Sequence, residues 1–185
     1  MTKKVYCTGE INENETNIKM DISNENIKTK SRAKRVNIVS IKMVREGSIL
    51  YENRKIDSPN SAVNLLRQFI EYADREMLLV CCLDTKNQPT CINVVSIGIL
   101  NSSLVHPREV FKPAILGNSS SIIVAHNHPS GDVTPSNEDI NITKKLKEAG
   151  NIVGIEVLDH LIISSNNFIS LKEKGAVSKL IDSPQ

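Results

Sequence analysis

The segment AHNHPSGDVTPSNED, residues 125–139, carries His126, His128, Ser136 and Asp139. Two imidazoles and a carboxylate are ligands for a borderline-soft divalent ion, and a hydroxyl beside them is a hydrogen-bond donor. His126 and His128 are two residues apart, so in extended backbone they project to one side and can meet one ion. The turn-forming Pro129-Ser130-Gly131 then lets the chain double back, so that Asp139 can supply a third ligand from early in a following helix. Three protein ligands leave a fourth position for water, as catalytic rather than structural zinc sites do. The expectation is one Zn2+ per chain, although iron or manganese accept similar ligands. A second reading of the same residues stays open. Ser136-x-x-Asp139 after Pro135 is also a variant capping box, whose side chains satisfy helix N-terminal amides, and histidines at the end of a buried strand also serve as hydrogen-bonded core groups.

The elements that must position these residues follow from pattern. VNIVSIKMV from Val36 reads as a strand, continued by GSILYE across a Gly-Ser turn, so the folded domain is expected to begin there. Ser58-Pro59 starts a helix to about Tyr72, with Val63, Leu66, Ile70 and Ala73 on one face. MLLVCCL and CINVVSIGIL flank the turn-forming DTKNQPT and predict a hairpin in a sheet core. Pro107 opens a helix that Gly117 closes, SIIVA is a buried strand with the histidines coming off its end, and a third helix runs from Ser136 to Ala149 with Gly150 as its C-cap. IVGIEVLDHLIIS then supplies one or two strands. The order α-β-β-α-β-α-β predicts an α/β fold, a three-layer mixed β-sheet flanked by helices.

Bulk properties narrow the function class. With 185 residues and a net charge of +2, the chain suits one domain plus a loose end and lacks the strong basic excess of dedicated nucleic-acid binders. Residues 1–35 are polar and aperiodic, which predicts a flexible tail before a single domain over 36–185. Within the tail, Lys28, Lys30, Arg32, Lys34 and Arg35 form a basic run that reads as a solvated linker or as a weak DNA contact. The cysteines Cys7, Cys81, Cys82 and Cys91 form no CxxC pair, and the last three lie in apolar runs, as expected of reduced thiols in an intracellular protein. With neither a signal peptide nor a membrane-length apolar stretch, a cytoplasmic location is expected. Substrate, pathway and oligomeric state are not legible.

His126, His128, Ser136 and Asp139 match the JAMM metalloprotease pattern, HxH followed by seven residues and Ser-x-x-Asp. LDTKNQ, SIGILNSSLVHPREVFKPA, AHNHPSGDVTPSNED and VLDHLII resemble successive blocks of the RadC family, formerly labelled DNA repair proteins, whose JAMM domain corresponds to about residues 58–175. The resemblance implies a cytidine-deaminase-like JAMM/MPN fold and a zinc-dependent hydrolase of the metallopeptidase kind. It also implies that Glu76, in ADREMLLVCCLD, is the general acid/base at the start of a core strand. Ser136 would then donate to the oxyanion of a tetrahedral intermediate, an effect of roughly 3 to 4 kcal/mol in hydrolases. Asn127 departs from the Ser or Thr of ubiquitin-cleaving JAMM enzymes and follows the RadC form HNHPSG. The polar tail stands where longer family members resemble a helix-hairpin-helix unit, so the alternative function, a DNA-associated accessory protein, rests on the basic run alone. Deaminase chemistry would need H-x-E and P-C-x-x-C, and this chain has neither. His160 after Asp159 reads as a buried histidine orienting a turn or as a group behind the ligands.

Overall fold

The computed structural model describes residues 36–52, 54–98 and 105–175. The chain divides into two units, Met1–Val39 and Ser40–Gln185, and the described helices and strands all lie in the second. They run in the order α1 (Pro59–Ile70), β1 (Met77–Leu83), β2 (Pro89–Ile97), α2 (Pro107–Leu116), β3 (Ser121–Asn127), α3 (Asn137–Val153), β4 (Glu156–Ile163) and β5 (Phe168–Ser170). The five strands form one sheet in the order β2-β1-β3-β4-β5.

Only β3 and β4 are parallel; β1 pairs antiparallel with both β2 and β3, and β5 antiparallel with β4. A parallel pair needs a crossover, and α3 is that crossover. This connection brings the helix N-terminus back beside the carboxyl end of β3, where ligand sites of α/β sheets form. The sheet is covered on both sides. Leu65, Leu66 and Ile70 of α1 pack with Leu79, Cys81, Ile123, Leu161 and Ile163 on one face. Val110, Phe111 and Ala114 of α2, with Ile142 and Leu146 of α3, pack with Leu78, Val80, Ile122 and Val124 on the other. The expected three-layer mixed α/β architecture is therefore the one observed. α1 is held at its start by a capping box in which Ser58 and Ser61 exchange bonds, followed by Pro59 in the first turn.

Several boundaries differ from the expectations, among them that of β2, which begins at Pro89 rather than Cys91. Residues 36–52 form neither helix nor strand, and Val36, Ile38, Val39, Val44 and Leu50 are exposed. Their β-branched composition suits a strand, but a strand requires a hydrogen-bonding partner, and the sheet edges β2 and β5 do not pair with this segment. α1 stops at Ile70, with Glu71 as its C-cap. α3 begins after Ser136, its N-cap, and continues through Gly150 to Val153, ending on Gly154 at φ 72°. Gly150 is present for packing instead: a Cβ there would sit 2.5 Å from the Ile155 carbonyl oxygen and 3.2 Å from Phe111 Cζ. Finally, β3 is longer than SIIVA and contains His126 within it. Cys81 and Cys82 are buried free thiols, and burial pushes Cys81 up to about 12; Cys91 is only partly buried. The basic run from Lys28 to Arg35, Cys7 and residues 99–104 lie outside the described residues.

Candidate metal centre

His126 sits one residue before the end of β3, opposite Leu78 of β1 and Ile162 of β4. In the strand's two-residue alternation it shares a face with Ile122 and Val124, the face covered by α2 and α3. His128 follows just beyond the strand on the same side, and the two Nε2 atoms lie 3.0 Å apart. Asp139, in the first turn of α3, brings Oδ1 to 3.2 Å from His126 Nε2 and Oδ2 to 3.8 Å from His128 Nε2. The sequence expectation that these three side chains converge is met: one ligand atom from each lies within 4.8 Å of the others. A tetrahedral zinc with bonds of about 2.0–2.1 Å separates its ligand atoms by roughly 3.3–3.4 Å. The spacing fits such an ion.

The donor set fits as well. His128 Nδ1 lies 2.6 Å from the Asp132 carbonyl oxygen, which can only accept, so Nδ1 carries the proton and Nε2 presents a lone pair. His126 is fully buried, and burial first, then the neighbouring His160 and His128, hold its pKa well below the usual imidazole range. Neutral imidazole is the metal-ligating form. A carboxylate and imidazole lone pairs aimed at one point repel one another unless a cation stands between them.

Ser136 unites the two readings of Ser136-x-x-Asp139. Its Oγ accepts from the Asp139 amide at 3.1 Å and donates to Asp139 Oδ2 at 2.7 Å, while the Ser136 amide donates to the same Oδ2 at 2.8 Å. The capping box is real, and by occupying Oδ2 it turns Oδ1 towards His126. In this arrangement the Ser136 proton is already committed to a ligand.

Glu76 precedes Met77 at the start of β1 and is partly buried. Met77 packs on the α1 side, and the β1–β3 register ends at Leu78–His126, two residues along the chain from Glu76. Asn127 holds this strand end. Its Nδ2 donates to the Arg75 carbonyl at 3.1 Å and its Oδ1 accepts from the Met77 amide at 2.7 Å, bracketing Glu76 on both sides. The sequence marked Asn127 only as a departure from the Ser or Thr of ubiquitin-cleaving JAMM enzymes, because an amide whose partners lie 50 and 52 residues earlier in the chain gives no local signal.

Sequence reasoning left His160 ambiguous and passed over Thr143. His160 Nε2 lies 2.9 Å from His126 Nδ1, and His160 Nδ1 lies 2.5 Å from Thr143 Oγ1. Thr143 Oγ1 in turn donates to the Asp139 carbonyl at 2.6 Å. His160 reaches this face because β4 carries a bulge. The register steps from Ile122–Val157 to Ile123–Asp159, leaving Leu158 as the extra residue. Val157 and Leu161 consequently point to opposite faces although four residues apart. Asp159 anchors the bulged strand, accepting from the amides of His160 at 2.7 Å and Lys172 at 3.1 Å and from Ser170 Oγ at 2.6 Å. Arg108 and Glu109, at the start of α2, form an ion pair at 3.4 Å. A groove of about 420 Å³ lined by Leu50, Tyr51, Ile56, Leu65 and Arg67 lies on the α1 side and takes none of these site residues.

A mixed five-stranded sheet between helical layers, with a His-x-His pair at a strand end and an aspartate on the crossover helix, defines a JAB/MPN-type α/β domain with a group able to hold a metal ion. The family model described as RadC-like JAB domain matches residues 56–176. The chain belongs to the RadC family. Among similar curated proteins, a UPF0758 protein of Caldanaerobacter subterraneus subsp. tengcongensis is 56% identical over 124 residues, which is 67% of this chain and 53% of the relative. A UPF0758 protein of Desulfitobacterium hafniense is 56% identical over 120 residues, covering 65% and 53%, and one of Clostridium botulinum is 54% identical over 123 residues, covering 66% and 54%. The chain spans about half the length of the curated relatives it matches.

Proposed function

We propose that this domain is a zinc-dependent hydrolase of the metallopeptidase kind, cleaving a peptide or isopeptide bond. The observation that carries the reading is the convergence of His126 Nε2, His128 Nε2 and Asp139 Oδ1, three protein ligands among the described residues, a number that leaves a position for water. Zinc held there lowers the pKa of bound water from ~16 towards about 7 and polarises a substrate carbonyl. The chain's own groups supply the rest. Glu76, just before the β1 residues that pair with the end of β3, takes the proton from the attacking water and returns it to the leaving amine. Asn127 fixes the backbone on both sides of Glu76, tying this residue to the end of β3. Ser136 orients Asp139; to donate to an oxyanion as well, it would exchange its bond to Oδ2.

The test is metal per chain by elemental analysis of wild type, His126→Ala and Asp139→Ala, prepared identically without chelator. About one zinc in wild type and a sharp loss in both variants supports the reading and opens a peptidase screen with Glu76→Gln as the inactive control. No metal in wild type after zinc is added back overturns it.

A further inference from the structure

We propose that His160 and Thr143 are positioning residues that lock His126 in the one tautomer able to bind a metal, so that helix α3 supplies a ligand and also prepares the ligand on β3. The proton positions follow from a single backbone group. The Asp139 carbonyl can only accept, so the lone hydroxyl proton of Thr143 points to it across 2.6 Å. Thr143 Oγ1 then has only lone pairs for His160, and the 2.5 Å contact requires the proton on His160 Nδ1. His160 is 1% exposed and neither ring nitrogen bonds a carboxylate, so the ring is neutral and its Nε2 is an acceptor. The 2.9 Å contact to His126 is consequently a bond donated by His126 Nδ1–H. That leaves the lone pair of His126 on Nε2, the atom 3.2 Å from Asp139 Oδ1 and 3.0 Å from His128 Nε2.

The relay closes on itself. Asp139 and Thr143 are four residues apart, one turn of the same helix, and the path from the ligand's own carbonyl runs through Thr143 and His160 to the second ligand. The Leu158 bulge is what turns His160 into this path, since unbroken alternation from Val157 would aim it at α1. Ligating histidines commonly donate their distal N–H to a carbonyl or carboxylate; here a second neutral histidine occupies that place and takes its polarity from a threonine.

This inference rests on the reading of His126 as a ligand, and the experiment separates the two. Long-range ¹H–¹⁵N correlation spectra of the metal-free, histidine-labelled protein report ring tautomers without any metal or activity. Nδ1–H forms are expected for both His126 and His160; an Nε2–H form of His126 in wild type overturns the relay, whatever the metal content. Zinc affinity by competition with a chromophoric chelator supplies the second readout. Thr143→Val, which keeps the shape and removes the hydroxyl, should lose 10–100-fold in zinc affinity, a scale typical of groups behind a ligand, while Thr143→Ser retains wild-type affinity. Wild-type affinity in a folded Thr143→Val also overturns the relay. The wild-type tautomers decide the question even where Thr143→Val does not fold. Wild-type protein that takes up no zinc refutes the metal reading separately.

Discussion

Asn127 and Ser136 each hold a neighbouring group in place, the backbone around Glu76 in one case and the Asp139 carboxylate in the other. Asn127 satisfies the Arg75 carbonyl and the Met77 amide, the two peptide groups flanking Glu76. Replacing it by alanine strips both of these partly buried partners, which costs about 1 kcal/mol for each hydrogen bond lost. Asn127→Ala should therefore melt at lower temperature and lose turnover on any substrate the screen identifies while keeping its zinc, because His126 and His128 do not depend on the amide. Equal loss of zinc would show that the clamp holds the histidine strand rather than Glu76. Ser136→Ala makes a contrasting case. With Ser136 Oγ bonded to Asp139 Oδ2 and to the Asp139 amide, its loss should weaken zinc binding and cost roughly 1 kcal/mol of helix capping together. Full metal content with turnover lost would instead assign Ser136 to the oxyanion. The four motif residues were legible because their types and spacing occupy one segment; the bond from Ser136 to the ligand was not, since a hydroxyl's direction depends on the helix turn it caps.

Among the elements, α3 carries the most consequence, because it joins the parallel strands and delivers Asp139 and Thr143 to the site. In its last turns lies Gly150, where the helix passes so close to the Ile155 carbonyl that any Cβ would lie 2.5 Å away. Backbone cannot yield as a flexible side chain would. Gly150→Ala should cost about 1–3 kcal/mol, read from urea midpoints, despite alanine's better helix propensity. A gain in stability would mean that the α3–β4 junction relaxes freely. Helix starts were readable here from Ser58-Pro59 and Ser136-x-x-Asp139, since capping is local chemistry. The end of α3 was not: Gly150 reads as a C-cap by residue type, but the helix runs through it to Val153 and ends on Gly154. Residues 36–52 show the converse: strand-like composition came without a strand, because pairing is decided by distant partners.

For the molecule as a whole, the buried histidines tie stability to pH. In the folded protein burial holds His160 at about 4, and His126 also lies well below the usual value near 6.5. As pH falls through 6.5 the unfolded chain takes up these protons first, so unfolding is favoured progressively towards pH 4. Metal-free protein should thus be most stable above about pH 6.5 and lose roughly 2 kcal/mol through His160 by about pH 5, with His126 acting in the same direction, measured as urea midpoints across that range. A flat profile would show that the rings do not stay neutral in the fold. Among the described residues no helix is long and apolar enough to cross a membrane. The sequence by itself determined the layered α/β class, the histidine pair, the aspartate and the place of Glu76 at a strand start, since periodicity, caps and motif spacing are local in the chain. Tertiary structure alone decided that Asn127 brackets Glu76, that Ser136 serves the ligand, and that a one-residue bulge in β4 turns His160 towards His126. The reason is physical: these contacts join residues from different strands and helices, and which face a side chain presents after a bulge is settled by strand pairing, not by the residues on either side of it.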